Sequence, residues 1–326
     1  MPNVKTLDYN PNLFNRFTHF NTICTAMFRK PAALASTRYR LELADGDFMD
    51  LDWSQPEGGT RLVILIHGLE GAADRPYMVG MASAFHTIGF DSLRVNLRGC
   101  SGEMNRLVKT YHSGATEDLQ HVLDYVFEEY PSYTEIVILG FSLGGNIVLK
   151  YTGDAANNVD PRIKAAVGVS VPCDLTSCAV AIKQQKNFIY NQRFLSNLRK
   201  KIKLKKDILP PDMDYEQLLS AKNFHEFDHW FTAKANGFDS AAHYWETCSS
   251  KPVLSQAVIP TLLLTAQDDS FLGEACYPYE IAEKHPYFYL MAPKHGGHVG
   301  FSGDDRDEML WSEYRVTQFV QERLGI

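Results

Sequence analysis

The amino-acid sequence predicts an α/β fold: a mostly parallel sheet with helices on both faces and a helical cap inserted into it. Short, nearly continuous apolar runs recur along the chain, and such runs are typical of parallel strands that are buried on both sides. Amphipathic helical patterns fill the intervals, and strand–helix alternation indicates a doubly wound sheet. One long helical interval interrupts the alternation and predicts the cap.

Six apolar runs predict the parallel strands. They cover residues 62–66, 92–97, 136–139, 165–171, 261–265 and 287–291. Ahead of them, residues 39–53 alternate between apolar and polar side chains around Asp45-Gly46, a pair that favours tight turns. This segment therefore predicts an antiparallel hairpin that precedes the parallel strands.

Four amphipathic segments predict the helices that connect the strands. One opens at Pro76, a residue type favoured in the first helical turn, and runs through Phe85. The others cover 116–129, 143–151 and 309–324. The clearest pattern is that of 116–129, where apolar side chains recur at helical spacing and a proline follows the end.

Between residues 176 and 256 the alternation stops, and this stretch is mostly helical in pattern with no convincing strand. The sheet pattern resumes at Thr261. An insertion that leaves a sheet and returns to it predicts a cap over one end of that sheet. We therefore expect a single domain in four parts: an N-terminal segment with the hairpin (1–57), the first part of the core (58–175), the cap (176–256) and the second part of the core (257–326).

Charge is unevenly distributed along the chain. It has 32 Lys and Arg against 39 Asp and Glu, a formal net charge of −7, which argues against a surface that attracts nucleic acid. Residues 193–206 nevertheless contain seven basic side chains and no acidic one. Two interpretations stay open for this stretch: a solvated helix face, or a weak contact with anionic lipid headgroups or an acidic substrate.

The six cysteines form no CxxC pair, so the sequence predicts buried, reduced thiols rather than disulfides or a zinc site. No export signal is visible, and no uncharged apolar stretch reaches the ~18–20 residues of a membrane helix. Residues 13–28 are rich in aromatic side chains, but Arg16 and His19 interrupt them. We therefore expect a cytoplasmic protein that needs no cofactor or metal.

Gly140-Phe-Ser142-Leu-Gly144 fits the pattern G-x-S-x-G between a predicted strand and a predicted helix. In that context the pattern is typical of a sharp turn that exposes a nucleophilic serine. The glycines leave room where side chains would clash with neighbouring backbone, and the helix N-terminus points at the hydroxyl. The sequence therefore predicts Ser142 as a nucleophile, with a glycine-rich structural turn as the alternative.

A serine hydroxyl needs a base to take its proton, and in this type of fold an acid and then a histidine follow the serine along the chain. His298 lies among small residues after the last predicted strand, so we prefer it to His295 as the base. Asp269 follows the penultimate strand one residue further out than Asp268 and is the predicted acid. Asp268 would then be a solvated or turn-capping carboxylate, and Asp174 is a third, weaker candidate.

An acyl-transfer site also needs backbone donors for the negative charge that develops on the carbonyl oxygen. His67-Gly68-Leu69 follows the first predicted parallel strand, and the N–H of Leu69 is the predicted first donor. The N–H of Leu143, directly after the serine, is the predicted second donor. We expect His67 itself to pack beneath its loop rather than to act in catalysis.

Together these motifs resemble the YheT-type branch of the α/β-hydrolase superfamily. The resembling segments run over nearly the whole chain: His19-Phe-Asn-Thr-Ile23, His67-Gly-Leu-Glu-Gly71, Asn96-Leu-Arg-Gly-Cys100, Gly140-Phe-Ser-Leu-Gly-Gly-Asn146, Phe227-Asp228, Thr232-Ala233, Gly237-Phe238, Asp268-Asp269 and Gly296-Gly-His-Val-Gly-Phe301. The resemblance implies the α/β-hydrolase fold and serine esterase chemistry on carboxylic esters, with nucleophile, acid and base at Ser142, Asp269 and His298. One departure is Ser270, where the family's acid motif often has a proline.

We therefore expect a serine hydrolase that acts on small-molecule esters of short to medium acyl chain length through an acyl-enzyme. Acyltransferases are among the eukaryotic members of the resembling family, so transfer to an alcohol is the alternative. A non-catalytic binding module on the same fold is more distant. The aromatic cap residues either form an acyl pocket or pack the cap onto the core. They are Phe188, Tyr190, Phe194, Phe224, Phe227, Trp230 and Phe231.

His225-Glu226-Phe-Asp-His229, in the predicted cap, matches the pattern H-E-x-x-H. On a helix the two histidines would share one face and could bind zinc, with Glu226 as the base of a metallopeptidase. Because the chain already carries a complete serine site elsewhere, we favour the interpretation of these side chains as polar cap residues.

Overall fold

An eight-stranded sheet forms the centre of the fold. The computed structural model describes residues 8–31, 33–55, 58–154, 158–306 and 308–326. The strands are β1 (Thr37–Glu42), β2 (Phe48–Ser54), β3 (Arg61–Ile66), β4 (Asp91–Asn96), β5 (Glu135–Phe141), β6 (Ile163–Val169), β7 (Thr261–Leu264) and β8 (Phe288–Met291). All six predicted parallel strands and the predicted hairpin are therefore present, with small differences at their ends.

The strands lie in the order β1-β2-β4-β3-β5-β6-β7-β8. β2 pairs antiparallel with both β1 and β4, whereas β3 to β8 pair in parallel. The carboxyl ends of the parallel strands therefore meet at one edge, and open α/β sheets bind their ligands at this edge. The predicted fold class, a mostly parallel α/β sheet, is confirmed.

Twelve α-helices accompany the sheet in the described ranges. They are α1 (Thr18–Phe28), α2 (Pro76–His86), α3 (Thr116–Glu129), α4 (Leu143–Asp154), α5 (Leu175–Ile182), α6 (Phe188–Leu204), α7 (Tyr215–Ser220), α8 (Phe224–Phe227), α9 (Ala233–Ala235), α10 (Ala241–Cys248), α11 (Tyr279–Lys284) and α12 (Trp311–Leu324). Among the residues that the structure describes, no helix combines the length and the apolar character that crossing a bilayer requires.

The two faces of the sheet carry different helices. In β3, Leu62 and Ile64 belong to the core shared with α3 and α4, whereas Val63 and Leu65 belong to the core shared with α2 and α12. This alternation follows from the two-residue period of a strand. The helix predicted over 116–129 has the predicted bounds, and its apolar face packs on the first of these cores.

Between β6 and β7 the chain leaves the sheet. Residues 170–260 are all described, and they form α5 to α10 without a strand. Part of this stretch has its own small core, which includes Leu195, Ile202, Leu218 and Phe227. The helices of the insertion are therefore held together partly by contacts among themselves.

The N-terminal helix is an element that the sequence pattern does not predict. Residues 13–28 mix aromatic and polar side chains, yet Thr18–Phe28 is helical. Its polar residues Asn21 and Thr25 are buried, and hydrogen bonds to the nearby Asn15 and the distant Ser302 satisfy them. Tertiary contacts of polar side chains, rather than an apolar stripe, therefore hold α1 in place.

Candidate active site

Ser142 lies in the turn between β5 and α4. Its φ is 51°, in the left-handed region that residues other than glycine rarely adopt, and its N–H donates to the Val169 carbonyl at 2.8 Å. Such strain persists only where the surrounding structure enforces it, and it is concentrated at functional sites. The turn puts the hydroxyl at the carboxyl edge of the sheet and at the N-terminus of α4.

Two glycines make this turn possible. A Cβ on Gly140 would overlap the backbone of the first turn of α4, and a Cβ on Gly144 would run into the carbonyl oxygens of Ile66 and His67. The strand β5, the helix α4 and the end of β3 are therefore packed backbone against backbone around Ser142. Side chains larger than hydrogen have no room at these two positions.

Ser142, His298 and Asp269 form a continuous chain of hydrogen bonds. His298 Nε2 lies 3.0 Å from Ser142 Oγ, and its Nδ1 lies 2.8 Å from Asp269 Oδ2. The buried Asp269 carboxylate also accepts the Phe271 N–H at 2.9 Å. The Phe271 ring stacks on the imidazole, with 4.3 Å between the ring centroids. This arrangement can move a proton from serine to histidine while the carboxylate stabilises the resulting cation.

Comparisons with known proteins connect this fold and this geometry to a family. A family model described as the alpha/beta hydrolase fold matches residues 61–305. The chain is 34% identical over 310 residues to "Putative esterase YheT" of Escherichia coli (strain K12), a match that covers 93% of this chain and 89% of that protein. The chain belongs to the YheT-type branch of the α/β-hydrolase superfamily.

Two further comparisons agree with this assignment. Phospholipase ABHD3 of Homo sapiens is 29% identical over 297 residues, covering 87% of this chain and 72% of the phospholipase. The solved structure of the Pyrococcus furiosus esterase Pf2001 matches with a TM-score of 0.59 at 16% identity, covering 89% of this chain and 93% of that chain, which shows the fold alone. The named activities of the sequence relatives indicate that this YheT-type chain is a hydrolase.

In this YheT-type chain the loop after β3 lies directly against the serine. A Cβ on Gly68 would stand 3.0 Å from the Ser142 Cβ, and Leu69 and Leu143 line the same cavity. Within the described ranges, neither the Leu69 N–H nor the Leu143 N–H donates to a protein acceptor. Both amides are therefore available to an oxyanion that forms beside Ser142.

His67 stabilises the loop that contains Gly68 and Leu69. Its fully buried ring donates from Nδ1 to the Gly68 carbonyl at 2.8 Å and accepts the Leu97 N–H at Nε2 at 3.1 Å. Burial lowers the pKa of His67 to about 4, so the ring is neutral at physiological pH. A neutral imidazole has the one donor and one acceptor that these neighbours require, which suits a structural role.

The other candidate acids and the other candidate base have different partners. Asp268 accepts the Thr18 hydroxyl and the Gly297 N–H, both at 2.9 Å, so of the two suggested roles, solvated or backbone-capping, its contacts fit the second. Burial raises the pKa of Asp268, and these two hydrogen bonds oppose the increase. Asp174 caps the N-terminus of α5. His295 Nδ1 lies 3.7 Å from Asp268 Oδ2, so its neighbour is this carboxylate.

Two hydroxyl groups that the sequence pattern does not indicate hold loop 296–301 around His298, which we name the histidine loop. Thr22 Oγ1, on α1, accepts the His298 N–H at 2.9 Å, and Ser170 Oγ accepts the Val299 N–H at 2.9 Å. Val299 has a φ of 57°, so the loop backbone is strained at the residue whose N–H donates to Ser170. The only sequence signal was the motif His19-Phe-Asn-Thr-Ile23, which contains the threonine but suggests no role for it.

A lysine of the insertion is bound to loop 67–71 after β3, which we name the oxyanion loop after the donor predicted at Leu69. Lys201 Nζ, on α6, lies 2.8 Å from Glu70 Oε1, which also accepts the Tyr111 hydroxyl at 2.6 Å. Glu70 directly follows Leu69 and has a φ of 54°. Burial opposes the charge on Lys201, but its neighbours Cys100 and Glu70 more than compensate and raise the pKa of the lysine. The pair therefore ties the insertion to the strained loop.

The basic stretch 193–206 is accordingly not one solvated face. Besides Lys201, the buried Lys205 donates to carbonyls of the 107–109 segment, and Arg199 donates to the Ala221 carbonyl. The basic side chains that are exposed in this stretch are Arg193, Lys200, Lys203 and Lys206. Only part of the local positive charge therefore faces solvent.

A cavity of about 50 Å³ lies between the oxyanion loop and the insertion. The wall contributed by the insertion includes Leu198, Phe224, Phe227 and Phe231. Three of the seven aromatic cap residues that the sequence indicates thus line a cavity beside the free amides, while Phe188 is exposed instead. The insertion also contributes Lys201, Asp228 and Thr232, so this wall is largely apolar with a few polar groups, and the cavity reaches Leu143, the residue after Ser142.

The H-E-x-x-H match spans α8 and the π-helical turn Asp228–Thr232. The ring centroids of His225 and His229 are 6.1 Å apart, and the Glu226 carboxylate accepts N–H groups of Lys222 and Asn223. In the part of the chain that the structure describes, no group of three His, Cys, Asp or Glu residues is arranged to hold a metal ion. Glu226 serves as a helix-terminal hydrogen-bond acceptor.

Proposed function

We propose that this chain is a serine hydrolase of carboxylic esters, with Ser142 as nucleophile, His298 as base and Asp269 as the acid that orients the base. The observation that carries the proposal is the unbroken hydrogen-bond chain from the serine hydroxyl to the buried carboxylate, with links of 3.0 and 2.8 Å. Relatives named as an esterase and a phospholipase support esters as the substrate class.

The proposed reaction proceeds through an acyl-enzyme. Ser142 Oγ attacks the ester carbonyl carbon while His298 Nε2 takes the hydroxyl proton, and the amides of Leu69 and Leu143 donate to the oxyanion. His298 then protonates the leaving alcohol. Water repeats the attack on the acyl-enzyme, which releases the carboxylic acid and returns the proton to the serine. Every step uses protein groups, substrate and water.

We further propose that residues 176–256 act as a cap that selects the acyl chain. The apolar part of the cavity wall, formed by Leu198, Phe224, Phe227 and Phe231, supports a short to medium acyl chain there. Removing apolar surface from water is favourable by roughly 25 cal/mol per Å², so each added methylene strengthens binding until the wall is covered. Activity should therefore rise and then fall as the acyl chain lengthens.

The test pairs Ser142→Ala with Ser132→Ala, a control at an exposed serine in a surface turn. We expect hydrolysis of nitrophenyl esters to fall at least about 10⁴-fold in the first variant and to stay unchanged in the second. An alkyl fluorophosphonate should add covalently to the wild type and to the control but not to Ser142→Ala, as measured by intact mass. Undiminished turnover by Ser142→Ala would end the proposal.

The product mixture separates hydrolysis from other chemistries. With ethanol added, we expect the free carboxylic acid as the main product, whereas a predominant ethyl ester would identify an acyltransferase. Treatment with EDTA is expected to leave activity unchanged. Loss of activity in EDTA and its recovery with zinc would support a metallopeptidase that uses the cap histidines instead.

A further inference from the structure

Helix α1 is reversed relative to an ordinary amphipathic surface helix. Its polar side chains face the protein, with Asn21 and Thr25 only 0% and 5% exposed. Asn21 accepts the Ser302 N–H at 3.1 Å, and Thr22 accepts the His298 N–H at 2.9 Å. In most surface helices the apolar stripe faces the core and the polar stripe faces water. In α1, hydrogen bonds keep the polar stripe buried against the rest of the protein.

The apolar side chains of the same segment face solvent, with exposures from 37% to 69%. We name this set the α1 face. It consists of Leu13, Phe14, Phe17, Phe20, Ile23, Met27 and Phe28. The three- and four-residue spacing places these side chains on one side of the segment. Singly scattered exposed apolar residues are normal, but a contiguous patch of them marks an interaction site.

The insertion extends this apolar surface. His19 Nδ1, on α1, lies 3.1 Å from the Tyr190 hydroxyl of α6, and the two rings stack. Tyr190 follows Phe188 and Ile189, which are 60% and 73% exposed. The Tyr190 ring also contacts Phe271, the residue that stacks on the imidazole of the site. The α1 face therefore lies beside the histidine loop.

The two segments that form this surface carry charge of one sign. Residues 9–41 and 175–206 contain no Asp or Glu, although the whole chain has a net charge of −7. Their exposed cations include Arg16, Lys30, Lys183, Lys186 and Arg193. Exposed aromatic side chains flanked by cations are the composition of helices that lie on anionic membranes.

We propose that the α1 face, together with Phe188 and Ile189, docks on the surface of an anionic lipid bilayer. The apolar side chains enter the boundary between headgroups and acyl chains, the flanking cations contact the headgroups, and α1 lies in the plane of the surface. Because Thr22 on the opposite side of α1 holds the His298 loop, docking brings the site to a surface that presents lipid esters. The docking itself concerns binding and does not depend on the proposed ester hydrolysis.

A second copy of this chain fits the α1 face less well than lipid does. In a symmetric dimer the same patch meets itself. The exposed cations around the patch would then face their own copies, and neither segment supplies an acidic partner. Like charges across an interface oppose association, so the charge of this surface is complementary to anionic headgroups instead.

Vesicle co-sedimentation of the full chain tests the docking. We expect the wild type to bind vesicles of equal parts phosphatidylcholine and phosphatidylglycerol at least about tenfold more tightly than vesicles of phosphatidylcholine alone. Phe14→Ser combined with Phe17→Ser should weaken binding to the anionic vesicles at least about tenfold. The matched control, Val258→Ser with Tyr287→Ser, removes exposed apolar side chains ahead of β7 and β8, at the opposite edge of the sheet, and should bind like the wild type.

Variants with reversed charge provide a second test of membrane docking. Lys183→Glu with Lys186→Glu should weaken binding to the anionic vesicles about tenfold and reduce the dependence of binding on salt.

Far-UV circular dichroism and turnover of a water-soluble ester verify folding. Both are expected to match the wild type in Phe14→Ser/Phe17→Ser. Equal vesicle binding by that variant, or no binding by the wild type, overturns the docking. Light scattering provides the alternative outcome. If the wild type forms a dimer that Phe14→Ser/Phe17→Ser dissociates, and the wild type does not bind vesicles, the α1 face would be a contact with a second copy of the chain.

Discussion

The two halves of the candidate site are held by different physical means. Ser142 is positioned by close backbone packing among β3, β5 and α4, where Gly140 and Gly144 leave no room for a side chain. His298 is positioned by side-chain hydroxyls from distant segments, since its N–H donates to Thr22, 276 positions earlier in the chain. The serine half is therefore fixed by backbone packing of a strand–turn–helix against a neighbouring strand, and the histidine half by hydrogen bonds to side chains from distant segments.

This difference predicts different responses to mutation. Backbone packing tolerates almost no added volume, so changes on the serine half should affect folding first. A single hydrogen bond contributes only about 1 kcal/mol, so support residues on the histidine half should change activity moderately while the fold persists. Asp269 is the exception on the histidine half, because its carboxylate contacts the His298 imidazole that becomes positively charged during the proposed reaction.

The largest effect is expected at that acid. Asp269→Asn keeps the size of the side chain but removes the negative charge beside His298 Nδ1, so kcat should fall about 10⁴-fold, or ~5.5 kcal/mol. The matched control is Asp268→Asn, one residue away, whose carboxylate contacts α1 and the loop backbone rather than the imidazole. Steady-state kinetics with a nitrophenyl ester measure both. A greater loss in the control would move the acid to Asp268.

The next largest effect is expected on the packing around the serine. Gly140→Ala places a Cβ inside the backbone of α4, so it should lower the free energy of unfolding by about 3 kcal/mol. Gly59→Ala is the control, because a Cβ there would meet nothing within 4 Å. Urea denaturation followed by circular dichroism measures both variants. An unchanged unfolding midpoint for Gly140→Ala would contradict the close packing of β5 on α4.

The oxyanion loop should be less sensitive than either of these positions. Lys201→Met removes the ion pair with Glu70 next to the proposed donor Leu69, so kcat/KM should fall about tenfold, or ~1.4 kcal/mol. Lys203→Met is the control, since it changes an exposed lysine on the same helix. If both variants keep wild-type kinetics, the insertion does not position this loop.

The smallest effect is expected at the support of the histidine. Thr22→Val removes the acceptor for the His298 N–H, so kcat should fall about fivefold, or ~1 kcal/mol, with KM unchanged. Thr25→Val, one turn further along α1, deletes a hydroxyl that binds Ser302 instead and should have less effect on kcat. Equal losses in the two variants would indicate a general weakening of α1 rather than control of the histidine.

Local sequence patterns correctly predicted the strand and the helix that flank Ser142. The strand before Ser142 and the helix after it follow from an apolar run and a helical stripe, and the glycine spacing indicates the turn between them. The helix over 116–129 was predicted with the bounds that the structure has, because its apolar stripe faces the core as such stripes ordinarily do.

The same kind of pattern failed for α1, where apolar residues lie outside and polar residues inside. A period of three to four residues tells which side chains share a face, but not which face the protein covers. The buried Asn21 donates to the nearby Asn15 carbonyl, but its side-chain oxygen and the Thr25 hydroxyl depend on partners in the C-terminal loop. Those partners are nearly 300 positions away, so no local window contains the information.

By itself the sequence determined the fold class, the chain order of the site and the candidate residues Ser142, Asp269 and His298. Only the tertiary structure decided what Asp268 binds instead of the imidazole and which threonine holds the histidine loop. The physical reason is the separation along the chain between the residues that interact. Strands, helices and tight turns arise from interactions within a few residues, whereas the positions of Asp268 and Thr22 depend on how α1 packs against a loop at the other end of the chain.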